Sequence, residues 1–423
     1  MNRNLVTLGG FGSWMAVSMA CGADDEAPAA QTESSTTQSE SDETDTVSSA
    51  DDTHAQPQPS VFPEGIGLDS IEVNQGVGFE VARESEALPV EEQGSFVRGR
   101  PMLVRAYWTL DDDWTPRSVQ ALLTLTYPDG LTQSLTTTQF VDATTPIGDP
   151  DATFEWTIPE TSVRPGMECN VELRELDPDQ PGGDSPVRIP SEGTSPLAVG
   201  EQELTLRLVF VPLINGAPSC DEPNSPQLGP EHLPLIHDSI YEVFPVTNVE
   251  LTLHDPIEWD TELLEWEPLN LFLSELREQE GASPETIYLG IIGRPCGELP
   301  EGKQGEPLVL GDPGQPPLGV ASAIGPVDTT WPFVFRRLSR SLGVLHGRGN
   351  ISCAGVEAPD HEDLDAADEG ILAAHGYSLL TTSKYEPGTR WDLNSMCEPN
   401  WITREGWTEL YPAIQQTSIG SAP

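Results

Sequence analysis

Between about residues 65 and 195 apolar side chains return at every second position in short segments, and that period most restricts what the chain can become. Ile71-Glu72-Val73 and the runs 102–108, 121–127 and 154–158 each read as strands. Pro128-Asp129-Gly130 follows the third run, and glycine supplies the positive φ that a tight hairpin turn requires. No helical period of any length intrudes. An antiparallel β-sandwich over 63–198 is the expected arrangement.

Beyond about residue 200 the period switches. Residues 204–213 form a strong strand, and Leu233, Ile236, Ile240 and Val243 then recur at helical spacing. A strand over 249–253 precedes a helix over 268–280 that puts Leu269, Phe272, Leu273 and Leu276 on one face. A third strand covers 288–292, and a last helix over 331–343 packs through Phe335, Leu338 and Leu342. The Gly- and Pro-rich stretch 297–327 between them reads as a surface loop over a cleft. Strand, helix, strand, helix, strand, loop and helix fit an α/β catalytic-type domain over 199–423. With the sandwich this makes an α+β, multidomain chain, and 423 residues are enough for two or three domains.

The first 21 residues read as an export signal. Arg3 starts it, an apolar stretch runs over 5–20, and Ser18-Met19-Ala20 puts small residues before Cys21. Cys21-Gly22 suggests a bacterial lipoprotein whose cysteine is lipidated and anchors the chain to the cell envelope. Ser18 stands where such signals usually carry leucine, so a plain secretory signal is the alternative. Residues 22–62 are almost free of large apolar side chains and are expected to form a disordered acidic tether. The net charge is −49, from 69 Asp and Glu against 20 Lys and Arg, and it repels nucleic acid and anionic lipid. A protein or peptide is the expected ligand class.

Residues 336–346 read Arg-Arg-Leu-Ser-Arg-Ser-Leu-Gly-Val-Leu-His. Gly343 and His346 stand as the glycine and last histidine stand in H-E-x-x-H-x-x-G-x-x-H. Downstream lies Asp392-Leu393-Asn394-Ser395-Met396-Cys397-Glu398-Pro399-Asn400-Trp401-Ile402. On these segments and the domain order, residues 200–412 resemble the metzincin-type zinc metallopeptidase domains of secreted bacterial proteins. The resemblance implies an α/β peptidase fold, with Asn394 at the place of the methionine under the metal and Met396 at that of a tyrosine. It also implies that Cys353 pairs with Cys397; Cys220 with Cys296 is the second expected bridge, which leaves Cys169 over.

The departures from that pattern decide the expected function. Arg336, Arg337 and Arg340 occupy the places of the first histidine, the glutamate and the second histidine. Guanidinium stays protonated at physiological pH, so it lends zinc no lone pair and takes no proton from water. His346 alone is then a vestigial ligand, since a catalytic zinc needs three protein ligands. Two readings of the arginines stand side by side: solvent-facing or carboxylate-paired residues, or a positive cleft that grips a carboxylate or peptide C-terminus. The expected function is a non-catalytic, metallopeptidase-like envelope lipoprotein without cofactor. Its rivals are a zinc peptidase that joins His346 to His361 or His375 and an Asp, and an adhesion protein that binds through its sandwich. The acidic run around His361 (Asp360, Glu362, Asp363, Asp365 and Asp368) reads as a solvated loop. His232, His237 and His254 are expected to lack partners. No nucleophile elbow, Cys–His pair, phosphate loop or dinucleotide fingerprint is present.

Overall fold

In the computed structural model, residues 61–145, 152–177, 180, 182–283, 285–293, 305–310, 318–324, 342–343, 346, 351, 371–395, 397 and 399–419 are described, with 305–310 and 318–324 described as backbone. The signal and nearly all of the tether expected for 1–62 fall outside these residues.

The alternating runs become two antiparallel sheets. In the first, β1 (Ile66–Asn74) lies between β2 (Gly78–Arg83) and β3 (Met102–Leu110). A further strand, Phe154–Ile158, pairs with the free side of β3. In the second sheet β4 (Arg117–Thr126) lies between β5 (Thr132–Val141) and the strand Glu168–Glu175. The turn expected at 128–130 joins β4 to β5: Gly130 has φ +81° and its N–H donates to the Tyr127 carbonyl at 2.9 Å. Inward-facing residues of both sheets, among them Val73, Val104, Leu123 and Val171, share one core.

The second region is built on a sheet of a different kind. Strand β6 (Thr205–Asn215) is central and runs parallel both to β7 (Asn248–Leu253) and to β8 (Thr286–Ile292). Helix α1 (Leu233–Val243) leads into β7, and α2 (Glu267–Gln279) leads into β8. Successive residues of β6 are buried on opposite faces. Leu206, Leu208 and Phe210 join the main core with Ile236 and Ile240 of α1, whereas Val211 and Leu213 pack with Leu269 and Leu273 of α2. A parallel sheet covered on both faces needs such a near-continuous apolar strand.

The stretch 297–327 is not all loop. It contains strand β9 (Gly305–Leu310) and strand β10 (Leu318–Ile324), antiparallel to each other, with β10 parallel to β8. Pro307 sits within β9, the sheet's outermost strand, where no second ladder needs its missing N–H. A C-terminal helix, α3 (Arg404–Ile419), completes the main core through Trp407, Leu410 and Ile414. Thr403 caps it, accepting the Gly406 N–H on Oγ1 at 3.1 Å.

Both regions belong to one compact unit, Pro57–Pro423. Fully buried Arg100 joins them, donating to the Gln75 carbonyl and to the Phe244, Val246 and Glu242 carbonyls at the end of α1. Burial pulls its pKa down to about 10. The cation stays useful there because the last carbonyls of a helix need donors.

Candidate functional site

Helical Gly343 meets the 392–395 turn, and the turn residue His346 follows, its N–H donating to the Gly343 carbonyl at 3.1 Å. A Cβ placed on Gly343 would stand 2.2 Å from Asn394 Oδ1, so only glycine admits this approach. Asn394 is fixed in turn. Buried Asp392 accepts the Asn394 N–H on Oδ1 at 2.8 Å and the Thr403 hydroxyl on Oδ2 at 2.5 Å. The Asn394 carbonyl accepts the Ile351 N–H at 3.0 Å, which ties the chain after His346 to the same turn. A line of contacts therefore runs from the cap of α3 through Asp392 and Asn394 to the glycine of the motif.

His346 is 5% exposed, and its Nδ1 lies 2.7 Å from the Leu342 carbonyl. A carbonyl only accepts, so Nδ1 carries the proton and Nε2 presents a bare lone pair. Nε2 is buried without a hydrogen-bond partner. Loss of hydration holds the imidazole below its usual pKa, against the pull of the Leu342 carbonyl, so the ring is neutral. Its state suits a metal ligand, but one imidazole does not make a hydrolytic zinc site. Among the described residues no three His, Cys, Asp or Glu converge as a metal-binding group. Arg336, Arg337, Arg340 and Met396 lie outside the described residues, as do His361 and the acidic run around it.

A second constellation was not expected. Glu72 of β1, Arg105 of β3 and Glu155 of the neighbouring strand stand in register across the first sheet. His375, Lys384 and Arg404 face this row. Glu72 lies 3.4 Å from Arg105 Nη1, 3.5 Å from the Tyr107 hydroxyl, 3.6 Å from His375 Nδ1 and 3.8 Å from Arg404 Nη2. Glu155 receives Arg105 Nε at 3.4 Å and Lys384 Nζ at 2.6 Å. His375 Nδ1 is 3.2 Å from the Tyr107 hydroxyl, and Asn74 donates to the His375 carbonyl at 2.8 Å. Burial first, then the charge of Glu72, raises the Tyr107 pKa and keeps the phenol protonated. Glu72 and Arg105 are 4% and 1% exposed, so this is an internal ion network that joins the first sheet to the segment carrying Asn394.

Cys220 and Cys397 are each in a disulfide, while Cys169 is a buried free thiol whose pKa is pushed up to about 12, mainly by burial. Cys21, Cys296 and Cys353 lie outside the described residues. The three histidines expected to stand alone all have partners. His232 Nδ1 accepts the Gly229 N–H at 3.0 Å, and His237 pairs with Asp238 at 3.0 Å and stacks on Tyr241. His254 lies 2.8 Å from Glu280. Each partner is one to four residues away or belongs to a separate element, so an alternation pattern does not reveal it. Compared with known proteins, the chain matches no family model and no curated sequence.

Proposed function

We propose that this chain is a catalytically inactive, metallopeptidase-like protein of the cell envelope, exported, held by a lipid on Cys21, and serving as a binding or structural module. The carrying observation is Gly343 seated against Asn394 with neutral His346 beside it, on a motif whose other ligand and base positions hold Arg336, Arg340 and Arg337. A peptidase frame explains why a helix should press its glycine onto a buried turn and aim one unpartnered imidazole nitrogen inward. The parallel sheet with α1 and α2 on opposite faces supports the α/β part of this reading. Two antiparallel sheets over one core support a sandwich as the preceding module. In this reading Cys353 pairs with Cys397 and Cys220 with Cys296. The ligand is a protein or peptide, because a chain of net charge −49 repels nucleic acid.

Elemental analysis of the purified, exported protein tests the reading, together with a polypeptide-cleavage assay with and without chelator. Substoichiometric zinc and no cleavage are expected. One tightly held zinc per chain, or cleavage that a chelator stops, ends the proposal.

A further inference from the structure

His254 directly follows β7, and both of its ring nitrogens face acceptors. Nε2 is 2.8 Å from Glu280 Oε1 and Nδ1 is 2.5 Å from the Asp255 carbonyl oxygen. Neutral imidazole has one N–H, so it satisfies only one of these contacts; imidazolium satisfies both. Glu280 is held ready as an anion. Its Oε2 accepts the Tyr288 hydroxyl at 2.5 Å, and this bond, followed by His254 and opposed by burial, sets its pKa below the usual carboxylate range. Glu280 is also the C-terminal cap of α2, where a cation meets the negative end of the helix dipole.

The groups facing the imidazole are Glu280 at the end of α2 and Asp255 on its own segment, with Tyr288 of β8 on the far oxygen of Glu280. Arg277, Glu278 and Glu285 surround the same corner through Tyr288 and Arg277. Arg277 is already used, donating to the Thr286 and Ser283 carbonyls at 2.9 and 3.0 Å.

We propose that His254 is a pH-dependent clasp: protonated, it bridges the end of β7 to the end of α2, and on losing its proton it releases one of the two. Burial, the largest single influence, lowers the His254 pKa, but the Asp255 carbonyl and the Glu280 carboxylate together carry it above the imidazole value. A raised folded pKa means the clasp stabilises fully below the unfolded pKa and fades as pH rises through the folded one. This device does not depend on whether the protein is a peptidase relative.

NMR titration of the histidine rings of the full chain, from about pH 5 to about pH 9, tests it. Wild type, His254→Gln (for assignment) and Glu280→Gln are compared. The His254 resonance is expected to titrate above the ordinary value of about 6.5, and Glu280→Gln to lower that midpoint. The hydrogen-bonded amides of His254, Glu280, Gly281, Ala282 and Thr286 should lose about two- to fivefold of their protection across the transition, after correction for intrinsic exchange. A His254 midpoint at or below the ordinary value, or one that Glu280→Gln leaves in place, overturns the clasp. If His254→Gln fails to fold, Glu280→Gln alone decides.

Discussion

His375 and His346 are both 5% exposed, and each has a buried Nε2 without a partner, yet they are held in opposite ways. His375 sits among charges: Glu72 at 3.6 Å, with Arg105 and Arg404 on the same carboxylate. His346 touches only main chain at Nδ1, and its ring is kept neutral by burial. The first region is fixed by ion pairing that cannot lose a member cheaply. The second is fixed by shape, through a glycine that admits an asparagine.

The largest effect that separates the regions should come from Arg105→Ala, which takes the nearest cation from Glu72 and one cation from Glu155. Removing one partner of a buried ion pair costs about 3–5 kcal/mol, to be read from urea unfolding. A loss below about 1 kcal/mol would mean that water already solvates the row. Next in size is Gly343→Ala. In an ordinary helix this change stabilises by up to about 1 kcal/mol. Here the new Cβ would stand 2.2 Å from Asn394 Oδ1, so a loss of about 1–3 kcal/mol is expected, reduced when Asn394→Ala is added. A gain in stability from Gly343→Ala alone would remove the close approach.

The third test uses pH and the sign of the shift at His346. Its folded pKa is lowered, so the unfolded chain takes up protons first and wild type is penalised as pH falls through the unfolded imidazole value. His346→Leu should therefore gain on wild type toward acid by up to about 1.4 kcal/mol per pH unit, the reverse of His254→Gln. A stability difference that stays flat with pH contradicts a buried neutral ring. The smallest effect belongs to Lys384→Met. Lys384 and Glu155 are 20% and 27% exposed at the side chain, and the expected loss is about 1 kcal/mol or less.

Much of this organisation is written in side-chain period. The strand runs at 102–108 and 154–158, the Pro128-Asp129-Gly130 turn, and the helices around Ile236 and Leu273 all form where alternation or helical spacing places them. Helix α3 was not anticipated: Trp407, Leu410, Tyr411 and Ile414 recur at helical spacing, but internal Pro412 argues against a helix. Strands β9 and β10 were hidden by Gly and Pro, which are tolerated at a sheet edge and read as loop in isolation. Glu72, Arg105 and Glu155 each look like the solvent-facing residue of a half-buried strand. Strand register places them side by side, and the distant His375, Lys384 and Arg404 meet them there. Long-range contacts of that kind have no local signature. The approach of Gly343 to Asn394 is of the same kind, since no period in either segment brings the two together.

Restoring the missing chemistry tests the central claim most directly. Arg336→His, Arg337→Glu and Arg340→His together rebuild H-E-x-x-H-x-x-G-x-x-H around Gly343 and His346. The folded triple variant should bind one zinc per chain where wild type does not, and adding His346→Ala should abolish that gain. A well-folded variant that takes up no zinc, or takes it up equally without His346, would show that the helix was never built on a metallopeptidase frame.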